Sequence, residues 1–248
     1  MKTHISPAII MRTKEFGEAD LLVDFFTPDK GRLKGIAKGG RRSRKRFVNC
    51  LDTFSLVKLE YAQKREGDLY FLQSGKLVDA FPGIRSDYGA LAKASYMVEL
   101  TEILFPWRVT DPEMFELLRE SLGALAKKEN VHIISILFAV RAMARGGYGI
   151  NFDGCCICGR LYRGEGRAVY KQEKGGIACL KCQQESALNP GLNPESVKMI
   201  KGIQLKPLAE LKELKIAHEI IAEIKPVLRR HVDYHLGQRP KTASYLEE

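Results

Sequence analysis

The chain has 248 residues, and 40 Lys and Arg against 30 Asp and Glu leave a net charge of +10. With 45% hydrophobic and 28% charged residues, wholesale disorder is excluded, and the length allows one large domain or two smaller ones, each with its own core. The longest apolar stretch, Ile133 to Val140, is too short to span a bilayer, and Met1-Lys2-Thr3-His4 leads into no apolar signal core, so we expect an intracellular protein with no membrane partner.

The first eighty residues read as strands. Ala8-Ile9-Ile10-Met11 and Leu21 to Phe26 are rich in branched and aromatic side chains, with a turn at Phe16-Gly17-Glu18 between them. Thr27-Pro28-Asp29-Lys30-Gly31 is a second turn, before Leu33 to Ala37. Phe54 to Tyr61 alternates with period two, and Leu69 to Leu72 follows Glu66-Gly67-Asp68. Five short strands predict a small barrel of the OB type over residues 1–80.

The charge surplus lies inside this region. Lys30 to Leu51 holds nine basic residues (Lys30, Arg32, Lys34, Lys38, Arg41, Arg42, Arg44, Lys45 and Arg46) and no acidic one, so the rest of the chain is close to neutral. Lys38 to Arg46 puts six cations on a Gly- and Ser-containing loop. A solvated or targeting-type charge run is the plain alternative. The cost of crowding like charges in an otherwise balanced chain favours a polyanion, and nucleic acid over a membrane surface, since no amphipathic basic helix accompanies the run. Lys34, Lys38, Arg41, Arg42, Arg44, Lys45 and Arg46 are the candidate DNA-binding residues. Tyr61 and Phe47 are candidate stacking partners for bases, although barrel aromatics are more often core.

After Phe81-Pro82-Gly83 the period becomes helical. Leu91, Ala94, Val98 and Phe105 share a face, with Ser86 and Asp87 as candidate caps. Asp111-Pro112-Glu113 starts a second helix through Met114 to Lys127, and Val131 to Ala144 is a third, stopped at Gly146-Gly147. Helices resume at Pro194 to Lys201, near Leu208, and from Ile216 to Leu236, where Pro226 predicts a kink or break. The expected fold class is therefore α+β: a five-stranded OB-fold barrel, then an α-helical domain over 81–248 with a four-cysteine zinc module inserted at about 151–184.

That module rests on Cys155-x2-Cys158 and Cys179-x2-Cys182, with twenty residues between the knuckles, which is zinc-ribbon spacing. Gly159 helps the first knuckle turn, Gln183 offers the second no such help, and Tyr170 to Ile177 with Gly175-Gly176 reads as a hairpin. Two redox dithiols or disulfides are the competing reading, disfavoured in an intracellular chain. Four thiolates leave no position for water, so the metal expected is one structural Zn2+ per chain held by Cys155, Cys158, Cys179 and Cys182. The deaminase signature is absent, since Ala178 rather than Pro precedes Cys179. Cys156 reads as a spare thiol near the site and Cys50 as a small core or loop residue.

Other chemistry recedes. Gly146 to Gly149 follows a helix and reads as a helix stop rather than a phosphate loop. His231 and His235, spaced i, i+4 without a third ligand, read as surface residues. No carboxylate pair or nucleophile elbow is evident, so no catalytic residue is assigned and the expectation is a protein that is not an enzyme.

The chain resembles the RecO family of bacterial recombination mediators. The likeness is carried by Glu15 to Asp20 (EFGEAD), Phe26 to Gly31 (FTPDKG), Ala37 to Arg42 (AKGGRR), Ala80 to Gly83, Ala94-Ser95-Tyr96, Gly147-Tyr148-Gly149, Cys155-x2-Cys158-Gly159 and Arg229 to Gly237, in order along almost the full length. The resemblance implies an OB-fold, a helical domain with a zinc module, and binding of single- and double-stranded DNA. It also implies annealing of complementary strands and cooperation with RecR and RecF to place RecA on strands coated by single-strand-binding protein, in the cytoplasm at the nucleoid. The acidic tail of single-strand-binding protein would need a basic groove, to which Arg119, Arg141 and Lys198 are candidate contributors. The rival classes are a metal-dependent nucleic-acid enzyme and an RNA-binding zinc protein.

Overall fold

Five strands open the chain: β1 (Lys2–Phe16), β2 (Asp20–Thr27), β3 (Gly31–Ala37), β4 (Leu56–Gln63) and β5 (Leu69–Asp79). The structure, a computed structural model, describes residues 2–63, 68–129, 131, 133–206, 210 and 216–246, and divides into two units, residues 1–129 and 130–248. In the first unit the strand order is β1-β2-β3-β5-β4, and β1 returns to pair with β4 from Lys2 to Ile9, a closed barrel. One long strand serves two neighbours because β1 shifts register between Ile10 and Arg12. Its first half pairs with β4 and its second half with β2. The remaining seam, β3 with β5, is parallel and short, with Lys34, Gly35 and Ile36 opposite Leu69, Tyr70 and Phe71.

Alternation fills the interior. Val57, Leu59 and Tyr61 of β4 point inward with Ala8, Ile10, Val23, Phe25, Leu33 and Leu72, and Phe47 and Cys50 close the same cluster. Cys50 is thus a core residue, its thiol pushed up to about 11 by burial. Gly75 leaves room for it, since a Cβ there would lie 2.8 Å from the Cys50 sulfur.

Three helices belong to this unit: α1 (Pro82–Arg85), α2 (Tyr88–Leu104) and α3 (Pro112–Ala126). Asp87 caps α2 by accepting from the Ala90 N–H at 2.8 Å, and Asp111 caps α3 by accepting from the Met114 N–H at 2.8 Å, with Pro112 at the first helical position. The Phe115 ring of α3 meets Phe26 of β2, centroids 5.9 Å apart, which ties helix to barrel.

The second unit is mixed. It holds α4 (Ile134–Arg145), four short strands β6 (Asn151–Cys155), β7 (Ala168–Lys171), β8 (Gly176–Cys179) and β9 (Gly191–Leu192), then α5 (Pro194–Leu205) and α6 (His218–His235). The strands form one sheet in the order β6-β8-β7-β9, with β6 and β8 parallel. α4 stops at Gly146, and Gly147 takes φ +87°, so the glycines there end a helix.

The fold class expected from the sequence, an OB-type barrel followed by an α-helical domain, is corrected on two points. The cysteine module does lie between helices, α4 and α5, but it is built on a four-stranded sheet with Cys155 and Cys179 at strand ends and Cys158 and Cys182 in the turns that follow, so the second unit is not purely helical. Helices 82–126 form one unit with the barrel. The hairpin expected at Tyr170 to Ile177 is β7 with β8, whereas residues 151–155 and the two-residue β9 lack the branched, alternating pattern that marks a strand, which is why the other two strands were not expected. Of the kink or break expected at Pro226, the break is absent, since α6 runs through it. Ile220 and Ile224 before the proline, and Val227, Leu228 and Val232 after it, bury one stripe against α4 and α5. The helix expected near Leu208 lies outside the described residues, as does His132.

Candidate nucleic-acid interface and metal centre

The cationic loop leaves β3 and is held at defined points. Gly39, at φ +64°, donates its N–H to Asp20 Oδ1 at 2.7 Å, and the Arg41 N–H reaches the Ala19 carbonyl at 3.0 Å. A 3-10 turn over Gly40–Arg42 follows, with Gly40 buried against Leu21 and Ala37. Ser43 Oγ accepts from the N–H groups of Arg46 and Phe47, and Gly75 donates to the Arg46 carbonyl at 2.8 Å. Phe47, buried in the barrel core, anchors the far end. The backbone is therefore fixed while the side chains face outward.

The sequence-predicted cations divide by partner. Lys38, Arg42, Arg44 and Lys45 are exposed and form no ion pair among the described residues. Arg41 pairs with Glu15 at 3.0 Å, and the Arg46 guanidinium bonds the Lys38 carbonyl at 2.5 Å. Lys34 sits 3.5 Å from Asp24, so its charge is largely spent within the barrel wall. Arg32, counted in the same basic run, is buried beneath the surface, donating to the Glu102 and Phe105 carbonyls, the latter at 3.2 Å.

The expected stacking aromatics are corrected. Tyr61 is wholly buried, packed edge-on to Phe25 and Tyr70 at 5.3 and 5.5 Å, and Phe47 is buried too, so neither ring faces solvent. The exposed ring beside these cations is Trp107, over which the Arg32 guanidinium lies at 4.2 Å and the Lys34 ammonium at 5.2 Å. No strand or helix pattern marks Trp107; its one sequence signal is that it is the chain's single tryptophan.

In the second unit, parallel pairing builds the cysteine cluster. β6 and β8 run in the same direction with Cys155 opposite Ile177, so both strands end at one edge and deliver the first cysteine of each knuckle there. Gly159, at φ +72°, donates to the Cys155 carbonyl at 2.9 Å and closes the first turn. Gln183 closes the second by donating to the Cys179 carbonyl at 3.1 Å, with no left-handed residue needed. The sulfurs of Cys155, Cys158, Cys179 and Cys182 all lie within 4.8 Å of one another.

This donor set fits a tetrahedral metal ion. Four Zn–S bonds of about 2.3 Å would place the sulfurs about 3.8 Å apart, and Cys158 and Cys179 stand at 3.9 Å. Burial pushes the Cys155 thiol up, but the N–H groups of Cys158, Cys179 and Ile157 outweigh it and bring the group down to about 6. Cys179 is likewise lowered, chiefly by the Cys182 N–H, while Cys182 is pushed up to about 12 by bonds from Cys158 and Cys179. Two of the sulfurs, Cys155 and Cys179, are thus eased toward ionisation in a cluster whose geometry could hold a metal ion. Cys156 is outside the cluster; its N–H bonds the Ile177 carbonyl at 2.7 Å, and burial raises its thiol.

Three further residues sit differently from what the sequence suggests. His231 is buried rather than on the surface: its Nε2 meets the Tyr148 carbonyl at 2.5 Å and its Nδ1 the Tyr170 hydroxyl at 2.7 Å. The Tyr148 carbonyl can only accept, so Nε2 carries the proton and Tyr170 donates to Nδ1, which is a neutral ring. Arg141 is buried and donates to the carbonyls of Gln204 and Lys206, and Arg119 pairs with Glu116 and Glu120, so neither offers a free charge.

Among the described residues no helix is long and apolar enough to cross a membrane. Two family models match the chain, Recombination protein O N terminal over residues 1–81 and Recombination protein O C terminal over residues 85–244. The DNA repair protein RecO of Syntrophobacter fumaroxidans is 32% identical over 248 residues, covering 100% of this chain and 98% of its own length. That of Desulfatibacillum aliphaticivorans is 33% identical, covering 97% and 95%, and that of Syntrophus aciditrophicus is 30% identical, covering 99% and 96%. With both halves matched and the likeness running nearly end to end, the chain belongs to the RecO family.

Proposed function

We propose that this protein is a DNA repair and homologous-recombination mediator that binds single- and double-stranded DNA through the loop Lys38–Arg46. It anneals complementary strands and, with RecR and RecF, helps load RecA onto strands coated by single-strand-binding protein, in the cytoplasm at the nucleoid. The observation that carries the reading is the set of four cations, Lys38, Arg42, Arg44 and Lys45, without ion pairs among the described residues and carried on an anchored backbone. Their charges would neutralise phosphates and release counterions. Annealing follows from the same chemistry: strands held near one cationic surface repel each other less, and no covalent step is needed.

The four cysteines would hold one zinc ion per chain. Bound by four thiolates, the ion would have no open position for water and would supply structure, cross-linking the ends of β6 and β8. No residue is assigned a catalytic role, and cleavage of DNA on adding Mg2+ would favour the metal-dependent enzyme instead.

The test is the salt dependence of single-strand binding. Four phosphate contacts predict a slope of log K against log salt of about −2.8. Substituting Lys38, Arg42, Arg44 and Lys45 by Ala should bring the slope toward zero with the fold intact. An unchanged slope would overturn the loop assignment. Competition with RNA of the same length, if it won, would favour the RNA-binding reading. Annealing of strands precoated with single-strand-binding protein, with and without RecR, tests the mediator role itself.

A further inference from the structure

Trp107 is large, apolar, and 44% exposed, in a chain that buries most of its other aromatic rings. An exposed tryptophan in a fixed position is more informative than an exposed leucine, because its ring covers a large area and loses little entropy on contact. The position is fixed here from both sides. Arg108 donates its N–H to the Arg32 carbonyl at 3.0 Å, so the Trp107 segment pairs with the start of β3. The next residue, Val109, packs so closely on Gly31 that a Cβ there would lie 2.1 Å from the Val109 carbonyl oxygen. From beneath, Arg32 is held by the Glu102 and Phe105 carbonyls and places its guanidinium 4.2 Å from the ring centroid.

Around the ring lies a cavity of about 410 Å³, lined by Arg32, Lys34, Asp68, Leu69, Trp107 and Arg108. Its charges are mostly balanced: Lys34 against Asp24, Arg108 against Asp68 at 2.5 Å, and Arg32 against Glu102. A groove with a partly exposed aromatic ring, hydrogen-bonding side chains and little net charge suits a flat heteroaromatic ring better than a phosphate. It also shares β3 with the cationic loop. Arg32 and Lys38 are six residues apart along that strand and its exit, or roughly 20 Å, within the span of a short single strand.

We propose that the Trp107 groove is a base-stacking subsite that receives an unpaired nucleobase of a DNA strand whose phosphates lie on Lys38, Arg42, Arg44 and Lys45. This rests on the loop reading above, and it divides the labour: the loop supplies charge without preference for strandedness, and Trp107 supplies the preference for single strands, because only an unpaired base can leave its stack for the ring. The Arg32 guanidinium and Lys34 ammonium over the indole polarise the ring, and its exposed part is left for the base.

The chain's one tryptophan reports its own site. Adding an oligothymidylate should quench Trp107 fluorescence along the same isotherm as the anisotropy of a labelled strand. An abasic oligomer of equal charge should bind without quenching. Trp107→Ala should weaken single-strand binding about tenfold, leave duplex binding and the salt slope unchanged, and be largely rescued by Trp107→Phe. Binding by anisotropy with no quenching would overturn the subsite and leave the loop reading standing. Equal quenching by the abasic oligomer would overturn stacking, and saturable quenching by thymidine monophosphate at the same concentrations would make the groove a free-nucleotide site instead. Absence of any binding would overturn the loop reading and the subsite with it.

Discussion

The cationic loop of the first unit and the cysteine-bearing sheet of the second handle their polar groups in opposite ways. In the loop the backbone is satisfied by Asp20, Ala19 and Ser43, while Lys38, Arg42, Arg44 and Lys45 project outward without ion pairs among the described residues. Around the sheet, side chains turn toward each other. Arg167 bonds Glu185 at 2.5 Å and Glu223 at 2.8 Å, and Glu223 in turn accepts from the Asn193 N–H and the Ser196 hydroxyl. Lys171 reaches Gln183 and Asn189 at 3.3 and 3.0 Å, and the four sulfurs converge on one point. Exposed cations without ion pairs among the described residues occur near the sheet too, at Arg160, Arg163, Lys174 and Lys181, so the loop is set apart by carrying its free cations close together on one anchored backbone. Arg32 belongs to the same basic segment by sequence and to the interior by its bonds.

The zinc site proposed for the four sulfurs should give the largest effect when it is disrupted, since one ion would cross-link two knuckles of the second unit. Metal analysis should find about one zinc per chain, and Cys182→Ser should release it. Binding by four thiolates is coupled to folding and is worth on the order of 10 kcal/mol, so the second unit should melt far earlier while single-strand binding by the loop keeps its salt slope. Metal retained at full stoichiometry in Cys182→Ser would break the contrast between the two regions.

The next effect belongs to His231. Burial, with a smaller push from His235, pulls the ring down to about 4 against a partial opposing pull from the Tyr148 carbonyl. Below its ordinary value near 6.5 the unfolded chain takes up a proton that the folded state refuses, so stability falls as pH drops from about 6.5 toward 4 and is flat above. At pH 5 the loss relative to pH 7 should be about 2 kcal/mol. Urea unfolding at both values should show that loss in the natural chain and not in His231→Gln. A variant that kept the full pH dependence would place the proton elsewhere.

Legibility followed local chemistry. The caps at Asp87 and Asp111, the stop at Gly146 and the paired Cys-x2-Cys knuckles are signals written within a few residues, and the fold uses each of them. Contacts between residues far apart were not legible. The parallel seam of β6 with β8 and the pairing of the Trp107 segment with β3 carry no mark in either partner. His231 shows the same limit, because a polar residue on a helix looks exposed until Tyr170 and Tyr148, 61 and 83 residues away, are brought against it. Tyr61 fails in the other direction: period-two alternation placed it on one face of β4 without saying which face was the interior.

The smallest effect probes the loop's own exception. Arg41 is the loop cation held by a carboxylate, Glu15, at 3.0 Å, and both side chains are well exposed, 39% and 67%. An exposed pair of this kind contributes little to stability, so Glu15→Gln should leave the fold unchanged. It should instead release Arg41 to a phosphate, making the salt slope on single strands more negative by about 0.7 and raising affinity a few-fold at low salt. Arg41→Ala in the same background should return the slope to its starting value. If Glu15→Gln leaves the slope alone, Arg41 lies off the path of the strand, and the contact surface narrows to the four cations that already lack partners.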